Sequence, residues 1–246
     1  MNTKEKYCNA NGEYVEERKK LHKSIIDYYI EDYEENSNNP PKAILLGGGS
    51  ASGKSTLSKF WIEIFNKEEI PLVYIDCDEI KSLIPEYEDY KRFNVNKAAY
   101  YVHDESSDIA AELLEQAIRK KKNILYDGTM KNLKKYRKLV GDLSNNGYYI
   151  TLNVVDVPIP IARERAKVRA EKTHRDVPDD ILVESHQKVP ITFKVIKELV
   201  DEYGLFDTSN TTNDVLPYLV TEKNRKGEVI VYDKEKLDRF YDKGSH

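Results

Sequence analysis

The strongest chemical signal in the chain is the run Gly48-Gly49-Ser50-Ala51-Ser52-Gly53-Lys54-Ser55. It matches G-x-x-x-x-G-K-[ST] at every fixed position, the pattern of a loop that cradles phosphate. Glycines let successive backbone N–H groups turn inward toward phosphate oxygens. A helix starting near Lys54 adds its positive end to that cage. The Lys54 ammonium can reach β and γ phosphates, and the Ser55 hydroxyl suits Mg²⁺. Thr56 follows on the same turn. The expected ligands are therefore a nucleoside triphosphate and Mg²⁺, held by Gly48, Gly49, Ser50, Ala51, Ser52, Gly53, Lys54, Ser55 and Thr56.

Acids at strand ends are the next requirement, because a metal or a catalytic base sits there in nucleotide-binding sheets. Two such ends occur, Ile75-Asp76-Cys77-Asp78 and Ile124-Leu125-Tyr126-Asp127-Gly128-Thr129. Asp78 is a candidate base for a substrate hydroxyl. Asp127 could order the metal or its waters. Each acid also has a structural reading as a helix cap or turn residue, and Asp76 before Glu79 and Ile80 would serve as a cap. Arg163, Arg165, Arg169 and Arg175 form a third group. Arg165 and Arg169 share a helix face. Such cations could close over a triphosphate and steady the transferring group. The competing reading is a solvated helix face with weak surface pairs. The run His103-Asp104-Glu105-Ser106-Ser107-Asp108 is mostly explained as a helix start, with Ser106 or Ser107 as the cap. His103 and Glu105 are left over, as candidates for binding a polar substrate.

These residues need elements to position them. Ala43 to Leu46 is an apolar run bounded by Pro and Gly, the pattern of a buried parallel strand. Leu72 to Ile75, Asn123 to Tyr126 and Tyr149 to Val155 are the following strands. Helices are expected over Lys54 to Asn66, Ile109 to Arg119, Leu133 to Leu143 and Ile161 to Ala170. The alternation predicts an α/β fold, a three-layer α/β/α sandwich with a mainly parallel sheet. Pro217 to Thr221 and Val229 to Tyr232, joined by Asn224-Arg225-Lys226-Gly227, read as a small C-terminal hairpin. Val15 to Tyr33 reads as a helix, followed by a loop through Pro41. The expected division is therefore an N-terminal helical arm, 1–39, and an α/β domain carrying the phosphate loop, 40–246.

The chain has 246 residues, with 39 Lys and Arg against 43 Asp and Glu, a net charge of −4. That balance argues against a nucleic-acid partner, which usually needs a basic face. No apolar run reaches the ~18 residues of a membrane span, and no secretory signal is visible. Two cysteines, Cys8 and Cys77, fit a reducing compartment, and the expected location is the cytoplasm.

The motifs resemble the zeta toxin family of P-loop kinases, over about Lys42 to Asn210. The residues that carry the resemblance are Leu45 to Ser55, Tyr74-Ile75-Asp76-Cys77-Asp78-Glu79-Ile80-Lys81 with Pro85, Asp127-Gly128-Thr129, Gly147-Tyr148, and the Arg-rich helix running into Arg175-Asp176-Val177-Pro178. The segment Asn11 to Arg18 with Leu21-His22 resembles the arm before the kinase core in longer bacterial members. The resemblance implies transfer of the ATP γ-phosphate to the 3′-hydroxyl of UDP-N-acetylglucosamine. It places Asp78 at the catalytic base, Lys54 and Ser55 at phosphate and Mg²⁺, and Arg175 at a phosphate contact, with Arg165 or Arg169 as the second. Asp127, Gly128 and Thr129 fall near substrate and metal. Ala111 or Glu112 falls where the family has its sugar-holding acid, without a clean match. The His103 to Ser107 run also departs from the best-known toxins. A small helical antitoxin is the implied protein partner, and the arm could pack near the nucleotide mouth.

Two other classes compete with a kinase for a small acceptor. An ATP-binding switch or ATPase would hydrolyse without an acceptor. A polynucleotide-end kinase would need a salt-sensitive grip on its substrate, and the net charge weighs against it.

Overall fold

The computed structural model describes residues 1–30, 40–173, 177–212 and 215–245. Lys42–Gly47 forms β1, Val73–Asp76 β2, Ile124–Asp127 β3, Tyr149–Asp156 β4 and Glu202–Asp207 β5. Tyr218–Lys223 (β6) and Val229–Val231 (β7) complete one seven-stranded sheet, in the order β2-β3-β1-β4-β5-β6-β7. The first five strands are parallel and the last two antiparallel. The expected α/β fold is thus present. The C-terminal hairpin extends the main sheet instead of standing apart from it.

Period-two alternation on a sheet covered on both sides explains why β1 is apolar from Ala43 to Leu46. Ile44 and Leu46 pack with Leu125 and Val155 against Leu57 and Phe65 of α3, Lys54–Lys67. Ala43 and Leu45 belong to the larger core on the opposite face. That core takes in Ile109 and Leu113 of α6 (His103–Arg119), Tyr136 and Leu139 of α7 (Leu133–Asn145), and Phe193 of α9 (Asp179–Ile196). Phe240 of α10, Lys234–Asp242, closes it near the C-terminus.

Local signals set several ends. Asn132 caps α7, its side chain accepting from the Lys135 amide, and Gly147 ends the following turn at φ +74°. Asp233 caps α10 in the same way. The Arg-bearing helix is α8, Ile159–Thr173. His174, Arg175 and Asp176 lie outside the described residues, as does the loop expected over 34–39.

The N-terminal arm holds α1, Thr3–Tyr7, and α2, Glu16–Ile30. It packs against α6 and β2, and Ile25, Ile26 and Ile30 enter the main core. Between β2 and β3 come α4, Cys77–Ser82, and α5, Glu86–Tyr101, kinked at Asn94. The sequence also implies a cap for α6 at Ser106 or Ser107, and this is corrected. The helix starts at His103 after the buried Val102, and the Ser106 hydroxyl donates back to the His103 carbonyl inside the first turn.

Candidate active site

The phosphate loop joins β1 to α3, at the carboxyl ends of the parallel strands. Its backbone needs unusual conformations. Gly53 has φ +90° and Ala51 φ +57°. Gly48, at φ +152°, lies so close to Val155 that a Cβ there would sit 2.8 Å from the Val155 carbonyl oxygen. Only glycine fits such an approach. The loop follows a buried strand and opens a helix, as its pattern requires. Lys54 and Ser55 start α3, so their amides have no intrahelical acceptor and can face an anion. The Lys54 ammonium reaches back across the loop and donates to the carbonyls of Gly48 (3.1 Å) and Gly49 (3.4 Å). Burial pushes its pKa down, the Asp127 charge opposes that, and Arg169 adds to it. An ammonium so placed gains from anionic phosphate.

Neighbouring segments brace the loop. The Gly48 amide donates to the Thr129 carbonyl at 3.3 Å. The Tyr136 hydroxyl donates to the Leu46 carbonyl at 2.9 Å. A Cβ on Gly128 would fall 2.3 Å from that same hydroxyl, so the Asp127-Gly128-Thr129 corner is fitted closely to the loop. Thr208, just past β5, donates its hydroxyl to the Ser52 carbonyl at 2.6 Å. Ser185 and His186 of α9 hold Ser50.

The acids meet beside this loop. Asp76 and Asp127 are directly paired residues on β2 and β3. The Tyr74 hydroxyl lies between them, 3.3 Å from Asp76 and 3.4 Å from Asp127. Burial raises the Asp127 pKa to about 6, Asp76 reinforces the shift, and Lys54 opposes it. Asp76 also caps α4, accepting from the Asp78 amide at 2.8 Å, as the cap reading expects. Asp78 is partly exposed on the first turn of α4, and Lys81 donates to its carboxylate at 2.8 Å. Ser55 is exposed at the helix start. Among the described residues no group of three His, Cys, Asp or Glu could hold a metal unaided. The donor set still fits Mg²⁺, which usually takes one or two carboxylates or hydroxyls and completes its shell with phosphate and water.

The remaining expected site residues divide. His103 is near enough to Asp78 and Lys81 to feel both charges, and burial lowers its pKa. Glu105 is corrected, because it faces no substrate. It is fully buried and accepts from Arg18 (2.5 and 2.8 Å) and pairs with His22 (2.7 Å). Burial works against its charge, yet those bonds hold its pKa down to about 2. The physical reason is the arm, which brings Arg18 against α6 and neutralises the acid. Glu112 lies on α6 and accepts from Gln116 at 3.3 Å. It lines a groove of about 690 Å³ with Tyr126, Lys135 and Lys138 that includes none of Lys54, Asp78 or Asp127.

Among the arginines, Arg163 pairs with the exposed Asp179, in line with the surface reading. Arg165 directs its guanidinium at the Thr208 hydroxyl (3.1 Å) and carbonyl (2.6 Å), bracing the residue that braces Ser52. Arg169 is half-buried, and its charge reaches Lys54. Arg175 lies outside the described residues.

Sequence reasoning passed over Tyr74, Ser185, His186 and Thr208. A Thr-Ser pair just beyond a strand end was the available signal for Thr208. Nothing in the local pattern marks His186.

The zeta toxin family model matches residues 26–237. The chain belongs to the zeta toxin family. Solved structures agree on the fold. The AvrRxo1-ORF1:AvrRxo1-ORF2 complex with sulphate ions is 19% identical, covering 94% of this chain and 75% of that one, with a TM-score of 0.73. The same complex with ATP gives 19%, 94%, 74% and 0.72. The PezAT chromosomal toxin-antitoxin system of the human pathogen Streptococcus pneumoniae gives 19%, 94%, 96% and 0.66. No curated protein matches the chain. Among the described residues no helix is long and apolar enough to cross a membrane.

Proposed function

We propose that this zeta toxin family member is an ATP- and Mg²⁺-dependent kinase that phosphorylates a hydroxyl of a small acceptor, with UDP-N-acetylglucosamine as the first candidate. The observation that supports this reading is the meeting of a phosphate loop with two strand-end acids, Asp76 and Asp127, and with Asp78 on the first turn of α4. Gly48 to Thr56 bind the triphosphate, and Lys54 sits against its β and γ groups. Ser55 and Asp127 hold the metal, which would neutralise charge on the phosphates. Asp78, oriented by Lys81, accepts the acceptor's hydroxyl proton as the phosphoryl group transfers. Arg169 and Arg175 counter charge on the transferring group. Mg²⁺ and the arginines are thus electrostatic, and positioning does the rest.

His103, Gly128 and Thr129 border the acceptor. The acceptor is a small molecule and not a nucleic acid, consistent with a net charge of −4. A small helical antitoxin is the proposed protein partner, and the proposed location is the cytoplasm.

The test is a transfer screen with γ-labelled ATP over nucleotide sugars, nucleosides and simple sugars, with Lys54→Ala as the blank. Label on UDP-N-acetylglucosamine supports the full reading. Label on another acceptor keeps the kinase and drops that substrate. Hydrolysis with no labelled acceptor would replace the kinase by an ATPase.

A further inference from the structure

The phosphate loop is gripped from behind by two residues of α9. Ser185 is 1% exposed and His186 2%. The Ser185 hydroxyl donates its proton to the Leu182 carbonyl at 2.7 Å, which leaves its lone pairs for the Ser50 amide, 2.9 Å away. The His186 Nε2 lies 2.9 Å from the Ser50 carbonyl. A carbonyl only accepts, so Nε2 carries the hydrogen. One loop residue thus has both of its backbone polar groups held by consecutive side chains of one helix.

The same imidazole closes the space beside Gly49, where a Cβ would fall 2.5 Å from the ring. Ser50 lies in the part of the loop that must curve around phosphate. An unheld peptide there could turn its carbonyl inward, toward the anion.

We propose that Ser185 and His186 are positioning residues for nucleotide binding: together they fix the Ser50 peptide in the orientation that keeps the loop open to phosphate. The pair also ties the loop to the arginine-bearing α8, because α9 is the helix that follows it and packs on it. This inference rests on the reading of the loop as a phosphate site.

The test uses the full chain and two probes, Mg-ATP and magnesium tripolyphosphate, by calorimetry. His186→Phe keeps a ring but removes the donor. His186→Gln returns a donor near the Nε2 position, and Ser185→Ala removes only an oxygen. His186→Phe is expected to weaken both probes about tenfold, Ser185→Ala about threefold to tenfold, the scale of one hydrogen bond lost. His186→Gln should recover most of the loss, with the thermal midpoint of Ser185→Ala within a few degrees of wild type. Recovery by Gln separates positioning from simple packing. If wild type binds and both His186→Phe and Ser185→Ala bind equally well, the clamp is overturned while the phosphate site stands. If wild type itself binds neither probe, the phosphate reading fails and the clamp falls with it.

Discussion

Two parts of the molecule are built by different means. On the nucleotide side, the work is done by backbone geometry within nine consecutive residues, from Gly48 to Thr56. Where the N-terminal arm meets α5 and α6, it is done by side chains brought together from far apart. Arg18 of the arm bonds Glu86 on α5 (2.8 and 2.9 Å) and Glu105 on α6, with Tyr7 and His22 completing the network. The Arg18 guanidinium also stacks on the Tyr7 ring at 4.0 Å. The first arrangement is a feature of any chain with that pattern. The second exists only after α2, α5 and α6 have met. The phosphate loop is therefore a local device of the sequence, and the network around Arg18 is a product of tertiary packing.

The comparison can be sharpened by substitutions outside the loop. Asp78→Asn should leave Mg-ATP affinity unchanged and lower transfer by on the order of 10²- to 10⁴-fold, measured by initial rates at saturating ATP. Equal turnover by that variant would remove Asp78 as the base. Arg18→Met should destabilise the fold by about 3–5 kcal/mol, because Glu105 is then buried without its partner. Adding Glu105→Leu should recover most of that loss in urea titrations. A double variant no more stable than the single one would mean that the pair is not the acid's main support.

Asp127, beside the phosphate loop, gives a pH signature. Its folded pKa of about 6 is above that of an unfolded aspartate. The native state thus holds the extra proton between about pH 4 and 6, and stability falls as pH rises through that window. Asp127→Asn should be about 2–3 kcal/mol more stable than wild type at pH 8. The same variant should bind Mg²⁺ and ATP together less well, and wild-type binding should rise with a midpoint near pH 6. A variant of unchanged stability at pH 8 would contradict the burial argument. The smallest effect belongs to Glu112→Gln, which should change transfer less than twofold and stability by less than about 0.5 kcal/mol. A large rise in acceptor KM would instead join the α6–α7 groove to the site.

Legibility in the sequence follows the same division. Strands β1 to β4, α3, α7 and the phosphate loop could be read because their signals are local: an apolar run, a helical period, a glycine pattern. Asp76 was readable both as a strand-end acid and as a cap, and it serves as the cap. The roles of Glu105 and Arg165 were not readable. Each looked like a polar group awaiting a substrate, yet Glu105 meets residues 83 to 87 positions away, and Arg165 meets Thr208, 43 away. Charge type alone does not say whether its partner is protein or ligand. Strand β5 was obscured by its Glu, Gly and Asp, although Tyr203 and Leu205 are buried. Helix α9 was obscured by Pro190 inside it, and with it the Ser185-His186 pair. Helix α10 is short and strongly charged, and Phe240 is its one fully buried side chain, with Leu237 and Tyr241 packed against the core beside it.

The proposed function requires Lys54 and the amides around it to act as a receptor for the phosphates of a nucleoside triphosphate. Calorimetry of the wild-type chain and of Lys54→Ala against Mg-ATP tests this most directly, with circular dichroism to show that both are folded. The expected result is a saturable heat for wild type that is lost, or weakened by on the order of 100-fold, in Lys54→Ala. Two folded proteins with no heat at millimolar ATP, or with equal heats, would contradict it.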